Sequence, residues 1–210
     1  MSQTPHPPTK VGATPAVTRY FDSRAAGYCA AMTHGPWSWL RHRESSAVLA
    51  LAGPVSHRAV LDLGCGAGAY ATLFADNGAA PVVGVDASRQ MIAAIADHRI
   101  ATIVGDVATV SLDRRFDLVV LAGVLEFVAD AGAVLANAAR HLTTDGRIVA
   151  LVPPDTLGGW TYRLFHRSHG IAITLFSEDQ IALLADGAGL RPTARRLVRP
   201  YAAVYALEPR

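Results

Sequence analysis

From Ala59 to Val152, short apolar runs alternate with helix-like stretches, and this alternation narrows the fold further than any other feature of the chain. Ala59–Leu63, Pro81–Val85, Ile100–Val104, Phe116–Leu121 and Arg147–Val152 read as strands. The unbroken apolar run of Phe116–Leu121 suits a strand buried on both faces. Between the strands lie a tight glycine turn at Gly64–Gly68, a helix over Ala69–Asn77 stopped by Gly78, and a helix capped by Ser88 that runs through Met91, Ile92 and Ile95. Asp130–His141 reads as a further helix, followed by a turn at Asp145-Gly146. Two late strands, near Arg195–Val198 and Tyr201–Leu207, bring the number to seven. Strand–helix alternation of this kind predicts an α/β fold with a doubly wound, mostly parallel seven-stranded sheet covered by helices on both faces. Such sheets bind ligands beyond the carboxyl ends of their strands, where the strand order reverses. Gly64–Gly68, Asp86, Asp106 and Ala122–Glu126, far apart in sequence, should therefore converge.

The flanks complete the expected organisation. Residues 1–15, with four prolines and no periodicity, read as a flexible tail. Residues 16–210 then form a single domain, since a chain of 210 residues suits one full-sized core. Within it, 16–54 is an N-terminal helical lid, broken at Gly35-Pro36 and ended by Gly53-Pro54, and 155–176 is a cap inserted over the site. Ser177 caps a helix through Ile181, Leu183 and Leu184 that stops at Gly187–Gly189.

Charge and cysteine usage exclude several classes. A net charge of +2 gives no broad basic face for nucleic acid. Arg191, Arg195, Arg196 and Arg199 read as a solvated strand edge. Two cysteines, Cys29 and Cys65, form no disulfide framework, and no Cys/His spacing suggests a metal. The N-terminus lacks an apolar signal region, and the most apolar stretch, Leu118–Ala139, is interrupted by Glu126, Asp130 and Asn137, so no membrane span is expected. A soluble, cytoplasmic location is the expectation.

The segment Val60-Leu61-Asp62-Leu63-Gly64-Cys65-Gly66-Ala67-Gly68 carries the chemistry. Its glycines let backbone approach a ligand and start a helix whose N-terminus faces it. A dinucleotide site needs G-x-G-x-x-G, whereas this loop reads G-x-G-x-G with Tyr70 at the later position. Asp62 discriminates further. Beside a pyrophosphate it would meet like charge; beside S-adenosylmethionine it would meet the ammonium of the methionine moiety. Asp86, ending the second strand, suits ribose hydroxyls of either ligand.

These segments resemble the class I S-adenosylmethionine-dependent methyltransferases. Val60–Gly68 matches their first motif, and Val83-Gly84-Val85-Asp86-Ala87-Ser88 with Met91 is similar to the second. Gly105-Asp106-Val107 is similar to the third, Phe116–Val120 with Val124-Leu125-Glu126 to the fourth, and Asp145-Gly146-Arg147 to the turn before the fifth strand. The resemblance spans roughly residues 17–207, with the motifs in family order. It implies S-adenosylmethionine as cofactor and S-adenosylhomocysteine as product. Asp62, Gly64, Cys65, Gly66, Gly68, Asp86, Ala87, Met91, Gly105, Asp106, Val107, Ala122 and Gly123 are the implied cofactor contacts, with Met91 against adenine and Asp106 at its amino group. Tyr20–Tyr28 is similar to the lid helix of small-molecule methyltransferases, where aromatics such as Tyr20 and Tyr28 close over the methionine end; packing within an amphipathic helix explains those two rings equally well. One departure stands out. Many relatives carry His after the glutamate of the fourth motif, and Phe127 stands there instead, so no base transfers to that position.

Methyl transfer is a displacement for which the cofactor supplies activation, so the protein mainly positions donor and acceptor. A hydroxyl acceptor benefits from a general base, and histidine is the natural group near neutral pH. His166 and His169, in the expected cap, are the catalytic candidates, with His34 a third; surface histidines in a loop are the alternative for the cap pair. Trp160, Tyr162 and Phe165 suit a flat or apolar small molecule, or else close the core beneath the insertion. Arg163 and Arg167 either hold an acidic substrate group or are solvated. O-methylation of a small molecule is the leading expectation, with N- or C-methylation open and a non-catalytic S-adenosylmethionine-binding protein as a further reading. A nicotinamide-dependent reductase is disfavoured by Asp62 and by the lack of a Tyr-x-x-x-Lys pair, since Lys10 is the chain's only lysine.

Overall fold

A computed structural model describes residues 15–25 and 38–210. Its centre is a seven-stranded sheet: β1 (Val60–Leu63), β2 (Val82–Asp86), β3 (Ile100–Val104), β4 (Phe116–Ala122), β5 (Leu142–Val152), β6 (Leu190–Val198) and β7 (Ala202–Pro209). The strands lie in the order β3-β2-β1-β4-β5-β7-β6. β1 through β5 pair in parallel, and β7 inserts antiparallel between β5 and β6. The order reverses between β1 and β4, so the carboxyl ends of those two strands frame the crevice where a ligand binds.

Among the described residues the helical pieces are α1 (Pro15–Asp22), α2 (Ser38–Ala52), α3 (Ala69–Asp76), α4 (Arg89–Ala93), a single 3₁₀ turn (Leu125–Phe127), α5 (Ala131–Arg140), α6 (Leu157–Ser168) and α7 (Glu178–Gly187). Side chains alternate across each strand, and the two faces feed two cores. Leu61, Leu63, Val83, Val85 and Leu121 pack with Val134 and Leu135 of α5 and Ile181 of α7. Val60, Val82, Leu118 and Val120 pack on the other side with Val48 and Leu51 of α2 and Phe74 of α3. A smaller cluster joins Val17 of α1, Phe127 and Ile171, Ile173 and Leu175, with Tyr162 of α6 against it. Helix starts follow the capping chemistry the sequence offers: Ser88 accepts from the Met91 N–H, Asp130 from Ala133, and Ser177 forms a capping box with Gln180.

Residues 155–176, expected as a cap over the site, contain a regular helix, α6. Three local expectations need correction. Asp145-Gly146 is not a separating turn but lies within β5, where the pairing with β4 slips between Phe116 and Leu118. The sixth strand starts at Leu190, five residues earlier than the sequence suggests, because its exposed Arg/Pro/Thr stretch hides an edge strand. The helix after Ser88 ends at Ala93 and does not reach Ile95. Of the expected tail only Pro15 is described, as the first residue of α1, and the break at Gly35-Pro36 falls outside the described residues.

Candidate active site

The glycine turn begins where β1 ends. Gly64 adopts φ +79°, and its N–H and that of Cys65 both donate to the Val85 carbonyl of β2, at 2.7 and 3.0 Å. A Cβ at Gly64 would collide with Val124 Cγ2, so the position admits only glycine without rearrangement. Two residues upstream, Asp62 sits in a strand buried along its whole length and is 1% exposed. Its Oδ2 has no hydrogen-bond partner. Burial pushes its carboxyl up to about 7, with the Ala71 N–H pulling it partly back and the Asp86 charge adding to the rise. An orphaned buried carboxylate oxygen lining a cavity is unsatisfied until a donor reaches it.

Asp86, at the end of β2, ties the turn to the next connection. It accepts from the Gly66 N–H and the Ser88 N–H, each at 2.8 Å, and burial raises its carboxyl above the usual range. Each carboxylate oxygen keeps a further lone pair for a ligand hydroxyl. Met91, 1% exposed, packs with Ala67 and Ala25. The loop bearing Asp106 and Val107 is pinned from behind: the buried Asn137 of α5 donates to the carbonyls of Val107 (2.9 Å) and Val110 (3.0 Å), and Leu112 N–H donates to His141 Nε2 at 3.1 Å.

Two helices close the site from above. Asp22 of α1 accepts a hydrogen bond from Ser88 Oγ, which brings the lid onto the end of β2. α1 also presents Tyr20 and Phe21 to the cap. Phe21 meets Phe127 edge-on at 5.2 Å between centroids, and Tyr20 lies 6.1 Å from the His166 ring. His166 is enclosed further by Tyr162 at 4.5 Å, Phe127 at 5.3 Å and Phe165 at 5.6 Å. Burial, with the charges of His169, Arg24 and Arg41 adding to it, lowers its imidazole to about 4, and its Nδ1 has no hydrogen-bond partner. Near neutral pH the ring is uncharged and can accept a proton.

A cavity of about 380 Å3 results, within the size range of small-molecule sites. Of the residues expected from the sequence, Tyr20, Asp62, Gly64, Cys65, Gly66, Asp86, Ala87, Met91, Asp106, Val107, Ala122, Gly123 and His166 line it. Gly68 and Gly105 do not. Gly68 sets the left-handed start of α3, and Gly105 anchors its loop by donating to the Asp86 carbonyl at 2.9 Å. His169 is exposed and turned to its own helix end, its Nδ1 2.9 Å from the Phe165 carbonyl, so it is not placed to share a role with His166. Trp160 also points outward, unlike Tyr162 and Phe165, which face the cavity. Tyr28 and His34 lie outside the described residues. Arg41 was missed: it reaches the cavity from α2 while paired at 2.8 Å with the buried Glu44. Arg24, over the Tyr20 ring at 3.7 Å, also lines the cavity. Among the described residues no group of three or more potential metal ligands converges, and no helix is long and apolar enough to cross a membrane.

The donor set suits one ligand chemistry. A buried carboxylate with one unpaired oxygen fits an ammonium, a second carboxylate beside backbone N–H groups fits a ribose diol, and the space at Met91 and Val107 beside Asp106 fits a flat ring carrying an amino group. Residues 37–194 match a family model described as a methyltransferase domain. A Streptomyces protein, the cypemycin N-terminal methyltransferase, is 36% identical over 101 residues, which are 44% of this chain and 41% of that relative. The chain thus spans less than half of that relative. The magnesium protoporphyrin IX methyltransferase of Synechocystis PCC 6803, solved with bound S-adenosylhomocysteine, superposes with a TM-score of 0.73 at 19% identity, covering 92% of this chain and 98% of that one. The N-methyltransferase NodS of Bradyrhizobium japonicum, also with S-adenosylhomocysteine, gives 0.64 at 20% identity, covering 84% of this chain and 89% of that one.

Proposed function

The chain belongs to the class I S-adenosylmethionine-dependent methyltransferases, and we propose that it methylates a hydroxyl group of a small molecule with His166 as general base. The observation that carries the base assignment is the His166 ring itself: neutral, walled by aromatics, lining the cavity, and with a ring nitrogen left unsatisfied. When bound, S-adenosylmethionine supplies a methyl group already activated on a sulfonium. The residues of the chain supply position and dryness. Asp62 would hold the ammonium, Asp86 the ribose hydroxyls and Asp106 the adenine amino group, with Met91 against the ring. Tyr20, Phe21, Phe127, Tyr162 and Phe165 exclude water from the acceptor side and favour a flat or apolar acceptor. His166 Nδ1 accepts the hydroxyl proton as the acceptor oxygen becomes nucleophilic. With so low a basicity the imidazole does not strip the proton beforehand and would take it only as the acceptor oxygen reacts.

The test is release of S-adenosylhomocysteine from the purified protein given S-adenosylmethionine and a panel of small phenols, alcohols and amines. The reading expects turnover of a hydroxylated acceptor and a large loss of kcat in His166→Gln with cofactor affinity kept. Turnover of amines alone would reject it in favour of N-methylation, a second reading supported by the names of the Streptomyces and Bradyrhizobium relatives. Cofactor binding without turnover of any acceptor would favour a non-catalytic binding protein.

A further inference from the structure

α6 has two working sides. Its inner side, with Tyr162 and His166 one turn apart, is cavity wall. Its outer side carries Leu157, Trp160 and Leu164 at i, i+3 and i+7, a spacing that puts all three on one stripe. They are 84%, 51% and 68% exposed, and Phe165 edges the stripe at 55%. Arginines flank it. Arg163 stacks 3.8 Å from the Trp160 ring, and Arg167 follows one turn later on the same flank. The surface continues beyond the helix. Gly158 abuts the Pro200 carbonyl in the β6–β7 turn, and Arg199 in that turn accepts a hydrogen bond at its carbonyl from Arg43 of α2, at 3.2 Å. Arg43 in turn lies 4.8 Å from the ring of Trp39, which is 63% exposed. Two exposed tryptophans, Trp160 within the apolar strip of α6 and Trp39 on α2, are thus each paired with an arginine. Asp155 adds a carboxylate, already accepting from the Trp160 indole N–H at 2.9 Å.

We propose that this strip docks on an anionic lipid bilayer surface, with α6 lying in the plane of the headgroups. Leucine, tryptophan and phenylalanine on one stripe with arginine along its flank is the composition of a helix that lies at a lipid interface. Indole rings settle at headgroup depth, and guanidinium groups meet phosphates bidentately while their stems cover apolar surface. A second copy of the chain fits less well. A two-fold interface would set this patch, with its arginines, against an identical patch that supplies no acidic flank to meet them. Docking would place the cavity wall formed by Tyr162, Phe165 and His166 at the membrane surface.

The full chain is sedimented with vesicles of phosphatidylcholine alone and with vesicles containing phosphatidylglycerol, and tryptophan emission is followed alongside. The expected result is binding to the anionic vesicles only, weakened by salt, with emission shifted to the blue. The double variant Arg163→Ser/Arg167→Ser should bind about thirtyfold more weakly, from roughly 1 kcal/mol per basic residue near an anionic surface. Leu164→Glu, at an exposed position and with an unchanged thermal melt, should lose binding. Absence of vesicle binding, equal binding to uncharged vesicles, or wild-type binding by both variants would overturn the proposal. So would a concentration-dependent dimer that Leu164→Glu dissolves, which would assign the face to a second copy. Vesicle binding needs no turnover, so its outcome is independent of the acceptor assays.

Discussion

Asp62→Asn should make the protein more stable and a worse cofactor binder at once. In the free protein, Asp62 is fully buried, one oxygen is unpaired, and its carboxyl is raised from 3.8 to about 7. A raised folded value means that its contribution is fully present below pH 3.8 and is lost as pH rises through about 7. Three units at 1.36 kcal/mol each put the loss at roughly 4 kcal/mol by pH 8. Asparagine keeps the shape and cannot ionise. The variant should therefore gain stability over wild type as pH climbs from 4 to 8, by up to roughly 4 kcal/mol at the upper end. Glu126, also buried and raised to about 8, leaves the variant a residual slope of the same sign. S-adenosylhomocysteine affinity should fall by about 10- to 100-fold, since one charge-assisted hydrogen bond is worth about 1.5–3 kcal/mol. Urea denaturation across pH, paired with calorimetric titration, reads both. A variant less stable than wild type at pH 8, or one binding the nucleoside equally well, would refute the placement of an ammonium at this carboxylate.

Asp86→Ala should weaken S-adenosylhomocysteine binding by ~1.5–3 kcal/mol in the same titration, because it removes charge-assisted bonds to the ribose and unties the Gly66 N–H. His166→Gln should lower kcat by about 10²–10⁴ on a hydroxyl acceptor. With its imidazole lowered to about 4, wild-type kcat should show no histidine titration between about pH 6 and 8, measured by product release. Gly64→Ala should cost about 2–4 kcal/mol in chemical denaturation, since φ +79° strains any L side chain and the new methyl meets Val124.

The strands of the parallel half were legible because each is a nearly continuous apolar run ended by a turn residue, and the glycine turn because its spacing is set by backbone approach. Their convergence followed from sheet topology alone. α6 was obscured because the strand–helix pattern lapses after Pro154, in a stretch that contains Gly158-Gly159. Both glycines are required by close packing: a Cβ on Gly158 would strike the Pro200 carbonyl, and one on Gly159 the Pro154 carbonyl. Contacts between distant segments leave no local trace. The same holds for Arg41 and Glu44 of α2, which form an ion pair whose glutamate is buried and whose arginine enters the cavity. His166 and His169 were inseparable by sequence, and only the helical phase of α6 turns one inward and the other out. The slip in β5 at Gly146 likewise depends on pairing with Phe116, not on the Asp-Gly pair alone.

Calorimetric titration of the full chain with S-adenosylhomocysteine, with NADH and NADPH run in parallel, tests the central claim most directly. Saturable binding of S-adenosylhomocysteine alone, reduced in Asp62→Asn and Asp86→Ala, is the predicted result. Binding of a nicotinamide nucleotide instead, or of none of the three, would contradict the account of the glycine turn and of the two carboxylates beside it.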